Sequence, residues 1–257
     1  MELIQKLENG VLTLTLNRPE VFNSFNRTMA LAMQEALKAG QVDDAVRVIL
    51  ITGEGKAFCA GQDLAEATDP NGPALETIVR DHYNPIIELI RTIEKPVVAA
   101  VNGVAAGAGA NIALACDITF SKKSAAFIQA FSKIGLIPDS GGTFFLPRII
   151  GMQKATALMM TGDKVSAADA EAMNMIYKAV DDADFEQTVQ DFVRQLATMP
   201  TKGLGLTKRA LNASFTNDLT AQLKVEEVLQ TEAGATYDFN EGVQAFMQKR
   251  KPEFKGK

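Results

Sequence analysis

Two small-residue turns and one acid carry the chemistry for which this sequence can be read. The stretch VNGVAAGAGANIALACD, Val101 to Asp117, holds three glycines and six alanines between an apolar run and a helical pattern. Glycine and alanine remove side-chain bulk, so the N–H groups that open a helix near Gly107 to Gly109 can face a negatively charged or polarised oxygen. One such donor is half of an oxyanion hole. The other half fits KAFCAGQDL, Lys56 to Leu64, where an apolar strand gives way to a second small-residue turn ending in an acid. The third element is Asp139, in GLIPDSGGT, and its residue type leaves two readings open. It caps a helix, because Asp, Ser and Gly precede the helical pattern TFFLPRII. Alternatively it accepts a proton, its carboxylate desolvated and raised in pKa by Phe131, Ile137, Phe144 and Phe145.

Donors at strand ends need strands and helices in alternation, and the chain supplies them. Apolar and polar residues alternate from Glu2 to Asn17 on both sides of Asn9-Gly10, a dipeptide suited to the two positive φ angles of a tight hairpin turn. A helix is expected from the cap Asn26 to Gly40, with Met29, Met33, Ala36 and Leu37 on one face, followed by a buried strand over Val46 to Ile51. The helical pattern Leu75 to Ile93 is interrupted at Pro85, where a helix must start or kink. Strands follow at Pro96 to Val101 and Asp117 to Ser121. Short helices end at Gly151 and Gly162, Ser166 with Asp169 opens another, and Ile176 to Val180 is short and β-like. The rest reads as helix, which makes a layered α/β core with a helical C-terminal region.

The chain has 257 residues, 47% of them hydrophobic, enough for a sizeable core, and a net charge of -5 that argues against binding nucleic acid through its phosphates. Cys59 and Cys116 stand apart, in neither a metal nor a redox spacing, and suit a reducing cytoplasm. No run approaches the roughly 20 apolar residues of a membrane span, and the first residues lack the apolar run of a signal peptide. Nucleotide loops fit poorly: a G-x-G-x-x-G from Gly107 needs glycine where Ile112 stands, and GEGKAF lacks the Ser or Thr that follows a phosphate-loop lysine. His82 has no nucleophile motif beside it and reads as helix surface or pocket wall. Cys59 reads as a small buried residue, and Met159 and Met160 as core.

The segments FCAGQDL, PVVAAVNGVAAGAGANIALACDI and GLIPDSGGT, in this order and spacing, resemble the crotonase superfamily, also called the enoyl-CoA hydratase/isomerase family. The likeness runs from NRPEVFNSFN near the start to FMQKRKPEF at the end. It implies an α/β fold, a spiral of ββα units over residues 1–195 that holds the acyl-CoA site, and a helical region over 196–257 used in trimerisation. A homotrimer or a dimer of trimers follows, with coenzyme A as part of the substrate and no separate cofactor or metal. The resemblance puts the donors at the N–H groups of Ala60 and Ala108, and coenzyme A contacts at Val21, at Ala60, Gly61, Gln62, Asp63 and Leu64, and at Ala108 and Gly109. KRKPEFKGK, at the C-terminus, offers charge for the phosphates or a solvated chain end. The two glutamates of the family's hydratases would fall at Asn111 and Phe131, which line the acyl pocket but cannot take a proton. Asp139 stands where several isomerases of the family carry their acidic base. The resemblance therefore implies an acyl-CoA isomerase, with a straight-chain enoyl-CoA isomerase or hydratase as the alternative enzyme and an acyl-CoA-binding protein that turns nothing over as the reading of another class.

Overall fold

The computed structural model describes every residue, Met1–Lys257. Its strands are β1 (Leu3–Glu8), β2 (Val11–Leu16), β3 (Val48–Gly53), β4 (Ala57–Cys59), β5 (Val97–Val101), β6 (Val104–Ala106), β7 (Ile118–Lys122), β8 (Ala126–Ile128), β9 (Lys164–Ser166) and β10 (Lys178–Val180). The helices are α1 (Arg27–Val42), α2 (Leu64–Ala67), α3 (Leu75–Thr77), α4 (Asn84–Thr92), α5 (Ala108–Ala115), α6 (Gly142–Ile150), α7 (Met152–Thr161), α8 (Ala167–Ala172), α9 (Phe185–Ala197), α10 (Thr201–Ser214), α11 (Leu219–Gly234) and α12 (Tyr237–Met247).

Six strands form one sheet in the order β1-β2-β3-β5-β7-β10, and four short ones form a second in the order β4-β6-β8-β9. The chain crosses from the first sheet to the second and then enters helix, three times over: β3 to β4, β5 to β6, β7 to β8. This is the expected spiral of ββα units. Each crossing ends in a short strand whose C-terminal end leads towards the candidate site.

Period-two alternation explains how the long sheet is buried on both faces. Ile49 and Ile51, with Val97, Ala99 and Val101, face the main core that α1, α4 and α5 complete. Val48 and Leu50, with Val98 and Ala100, face the other way, against Phe185, Val189 and Val193 of α9. Asn9 and Gly10 take φ of 50° and 80° at the hairpin turn, and the Asn26 side chain caps α1 by accepting from Met29 N. Ser166 likewise accepts from Asp169 N at α8.

Several expectations need correction. The strand read at Val46 to Ile51 runs Val48–Gly53, because Val46 N pairs with Asp43 O in the preceding turn. Met160 is 74% exposed, while its neighbour Met159 packs on the core. A break between residues 195 and 196 falls inside the last turn of α9.

Beyond α9, α10 is fixed to the core by a buried ion cluster. Lys208 Nζ donates to Ile90 O at 2.6 Å and to Asp117 Oδ2 at 2.8 Å, and Arg91 holds the other carboxylate oxygen at 3.2 Å. Close approach here requires Gly205, where a Cβ would lie 2.3 Å from Glu94 O. The tail folds back on α12: Arg250 pairs with Glu241, and Asp238 accepts from Lys255 N and Gly256 N. Arg250 and Lys255 are thus engaged with α12, through Glu241 and the ring of Tyr237, while Lys249, Lys251 and Lys257 stay exposed. No helix is long and apolar enough to cross a membrane.

Candidate active site

Helix α5 is the element around which the site is built. It starts abruptly from Gly107, whose φ is +53°, and its tip lies against the end of β4: a Cβ on Gly109 would sit 2.4 Å from Cys59 O. Gly61 makes the matching approach from the other turn, at φ +94°, where a Cβ would lie 3.0 Å from Ala106 O and 3.4 Å from Ala108 N. The two turns that sequence singles out are therefore in contact.

Their hydrogen bonds decide which N–H groups are free. Gly107 N donates to Ile128 O at 2.9 Å, whereas Ala108 is the first residue of α5 and its N–H meets no carbonyl. Ala60 is a correction. Its N–H donates to Phe22 O at 3.0 Å, so the donor expected there is already engaged. Gly61 N points at Cys59 Sγ, 3.4 Å away, and Asp63 N donates to Phe25 O at 2.8 Å. Gln62 N makes no hydrogen bond within the protein and is the free donor of this turn.

The third element comes to the same helix. Asp139 precedes α6 and is half-buried; its carbonyl accepts from Asn111 Nδ2 at 2.8 Å and from Gly142 N at 2.9 Å. A Cβ on Gly142 would lie 2.3 Å from Asn111 Nδ2, so the turn is clamped on α5. Gly141, not Asp139, is the N-cap of α6, and the Asp139 carboxylate makes no capping bond to that helix. It accepts instead from Ser140 Oγ at 2.9 Å. Burial pushes its pKa up, with the Ser140 hydroxyl opposing.

Desolvation of this carboxylate has a narrower source than expected. Phe131 and Phe145 are 6% and 8% exposed, whereas Ile137 and Phe144 are 80% and 39% exposed and bring less buried surface to the site. Phe144 instead stacks edge-on with Phe145 and Phe215 and carries the Arg148 guanidinium 3.9 Å over its ring. Phe131 covers the start of α5: a Cβ on Gly107 would be 3.8 Å from its ring. Asn111 is wholly buried, and its Oδ1 accepts from Gln129 Nε2 at 2.8 Å. Its amide is therefore a clamp between Gln129 and Asp139, and the pocket-lining role expected of it is corrected accordingly.

Of the expected coenzyme A contacts, Val21 lies half-buried in the turn Pro19–Val21, next to the Phe22 carbonyl that holds Ala60, and Leu64 is 54% exposed. The Asp63 side chain is engaged elsewhere. It caps α2 through Ala65 N at 3.0 Å and pairs with Arg18 at 2.8 Å. Burial works to raise its pKa, but Arg18 and Ala65 outweigh it and hold the carboxyl below its usual range. Cys59 is buried and its thiol is pushed up to about 12, which keeps it unreactive. His82 is 3% exposed, so it is no surface residue; burial lowers its pKa and its Nδ1 has no partner.

Tyr83 is a residue that sequence reasoning passed over. Its side chain is fully buried and its hydroxyl donates to Gln62 Oε1 at 3.0 Å. No cluster of three or more His, Cys, Asp or Glu side chains could hold a metal ion.

Comparison with known proteins agrees with this architecture. The profile of the enoyl-CoA hydratase/isomerase family matches residues 6–257. The chain is 49% identical to the 1,2-epoxyphenylacetyl-CoA isomerase of Escherichia coli K12, over 99% of this chain and 98% of that protein. It is 44% identical to a "probable enoyl-CoA hydratase" of Rhodobacter capsulatus, over 98% of this chain and 97% of that one. The crystal structure of an enoyl-CoA hydratase from Bacillus anthracis superposes with a TM-score of 0.93 at 30% identity, all of both chains being covered. With its profile, its full-length relatives and its spiral in agreement, the chain belongs to the enoyl-CoA hydratase/isomerase family, the crotonases.

Proposed function

We propose that this crotonase is an acyl-CoA isomerase in which the N–H groups of Gln62 and Ala108 hold the thioester oxygen and Asp139 carries the proton. One observation supports the reading above all others. Asp139 is the acid of the turn whose main chain Asn111 of α5 clamps, while Asn111 is occupied as that clamp and Phe131 is apolar, so neither of these two can activate water.

The chemistry follows from the geometry. A proton at C2 of a thioester leaves only if the enolate oxygen is stabilised as charge develops, and one well-placed donor contributes about 3–4 kcal/mol to that. Asp139, its pKa raised by burial, takes the C2 proton and returns it at C4 through the dienolate. This moves a double bond from position 3 to position 2 with no atom gained or lost. Likeness to the Escherichia coli isomerase supports ring-1,2-epoxyphenylacetyl-CoA, converted to the oxepin thioester, as the physiological substrate. Coenzyme A enters as part of the substrate, with no separate cofactor, and the reaction belongs to the cytoplasm, where Cys59 and Cys116 stay reduced. Hydration is the second reading, favoured by the description of the Rhodobacter capsulatus relative.

The test is turnover of ring-1,2-epoxyphenylacetyl-CoA and 3-hexenoyl-CoA beside hydration of crotonyl-CoA. Isomerisation with very weak hydration is expected. Hydration at a comparable rate would overturn the assignment.

We also propose a homotrimer or a dimer of trimers built on the C-terminal helices. Phe246, Met247 and Leu219 are 86%, 77% and 75% exposed there, and a groove of about 430 Å³ opens between Pro200, Phe239, Val243 and Phe254. Light scattering that reports a stable monomer at micromolar concentration would contradict it.

A further inference from the structure

Between α3 and α4 the segment Ile78–Tyr83 is wound as a π-helix, with Asn84 N donating to Val79 O. Pro85, in the first turn of α4, has no N–H to continue an ordinary helical ladder across the junction. The wider turn shifts the register of side chains before α4, and such turns recur at functional sites. Here it delivers Tyr83 to the interior, its ring 1% exposed and 5.8 Å from that of Phe25.

The Tyr83 hydroxyl can act in one direction only. Burial, with Cys59, Asp139, Glu66 and Asp63 facing it, pushes the phenol pKa well above its ordinary value, so it stays protonated and donates. The acceptor, Gln62 Oε1, lies 3.0 Å away, and the same amide donates through Nε2 to Glu66 Oε2 at 3.1 Å. Glu66 in turn accepts from Arg27 N, the first N–H of α1, at 3.0 and 3.1 Å.

We propose that Tyr83 is a positioning residue for the Gln62 N–H, tethering the turn at residues 60–63 to the helix pair that carries the Ala108 N–H. The inference rests on the oxyanion reading given above. Backbone bonds join the two turns only ahead of the donors, where Cys59 of β4 pairs opposite Ala105 of β6. Beyond β4 the main chain ties the turn to Phe22 and Phe25, and none of these bonds is made by Gln62 N itself. Tyr83 adds the tether at Gln62 itself, because it leads directly into α4, and α4 packs on α5. Without its hydroxyl, the Gln62 amide loses its acceptor bond, and the spacing between the donors is no longer fixed from this side.

The experiment compares wild type with Tyr83→Phe, and with Gln62→Leu, which removes the same hydrogen bond without touching the buried ring. Difference infrared spectra of bound phenylacetyl-CoA, labelled with 13C at the thioester carbonyl, read the donors directly. In wild type the carbonyl stretch should fall below its value for free thioester; in either variant it should move back towards that value. The kcat for 3-hexenoyl-CoA should fall about ten-fold, less than the roughly 10²–10³ of a donor removed outright, with KM little changed. The double variant should lose no more than Gln62→Leu alone, because that change already removes the Tyr83 bond together with the Glu66 bond. A purely structural Tyr83 would lower the melting temperature and leave the carbonyl band where it was. Wild-type band and kcat in both single variants would overturn the tether. An unshifted carbonyl in the wild type, or full activity in Asp139→Asn, would instead overturn the oxyanion and base assignments on which the tether depends.

Discussion

The turn at residues 60–63 and the turn at 138–141 meet the same helix, yet they are held in opposite ways. The first is tied by main chain on both sides, through Phe22, Gly61 and Phe25, and by the Arg18–Asp63 ion pair. The second is held across to α5 by a single side chain, the Asn111 amide, with Gly142 packed against it, and follows a segment in which Ile134, Leu136 and Ile137 are 55%, 38% and 80% exposed. The difference matches the work proposed for each side. Oxyanion donors act because they need no reorganisation when charge appears. A single acid that must reach two carbons of one substrate has use for some freedom.

The base side should give the largest effect. Asp139→Asn keeps the shape but cannot accept a proton, and kcat should drop by about 10²–10⁴-fold, towards the upper end for so weak a carbon acid. Stability should move the other way. Because the folded pKa of Asp139 is raised, its contribution is favourable below the unfolded pKa and is lost as pH rises through the folded value. At pH 7 the ionised group opposes folding, so the variant should melt at or above the wild-type temperature. Wild-type kcat, or a clear fall in melting temperature, would break the comparison at its base side.

On the donor side, Ala108→Pro removes the N–H at the one helical position where proline fits, the first. Gly107 before it tolerates the change, and a near-normal melting curve is expected with about 10²–10³-fold loss of kcat. Ala108→Gly should be mild. A folded proline variant at full rate would mean that the α5 tip supplies no donor.

The smallest effect sharpens the contrast. Ser140 Oγ is the hydrogen-bond donor that restrains the Asp139 pKa against burial. In Ser140→Ala the acid limb of kcat/KM against pH should move to higher pH, with the plateau little changed. An unmoved limb, or one displaced to lower pH, would show that the hydroxyl does not tune the base.

Features that depend on local chemistry were readable from sequence. The Asn9-Gly10 turn, the Asn26 and Ser166 caps and the helix ends at Gly151 and Gly162 all stand where turn and cap chemistry puts them. The second sheet was not readable, since β4, β6, β8 and β9 span three residues each, too short for alternation to show. The choice between Ala60 and Gln62 was hidden for another reason. It depends on the Phe22 carbonyl, which is remote in sequence and whose Phe22 carries a positive φ of 53° that phenylalanine rarely adopts. Tyr83 sits in what reads as ordinary amphipathic helix, and only the π-turn sends it inwards. For Asp139, residue type left cap and base both open; the cap at Gly141 removes one of them.

Lys208 gives the C-terminal quarter a different standing from the one its sequence suggests. The ammonium is 6% exposed, burial lowers its pKa, and it is bonded to a main-chain carbonyl at the end of α4 and to the carboxylate that also receives Val97 N at the start of β5. Pulling α10 away would strand Asp117 beside Arg91 and open the edges of two core elements together, a loss of several kcal/mol for a buried pair. The seam between α10 and the strands is thereby stiffened, and hydrogen exchange of α10 and β5 amides is expected to slow together.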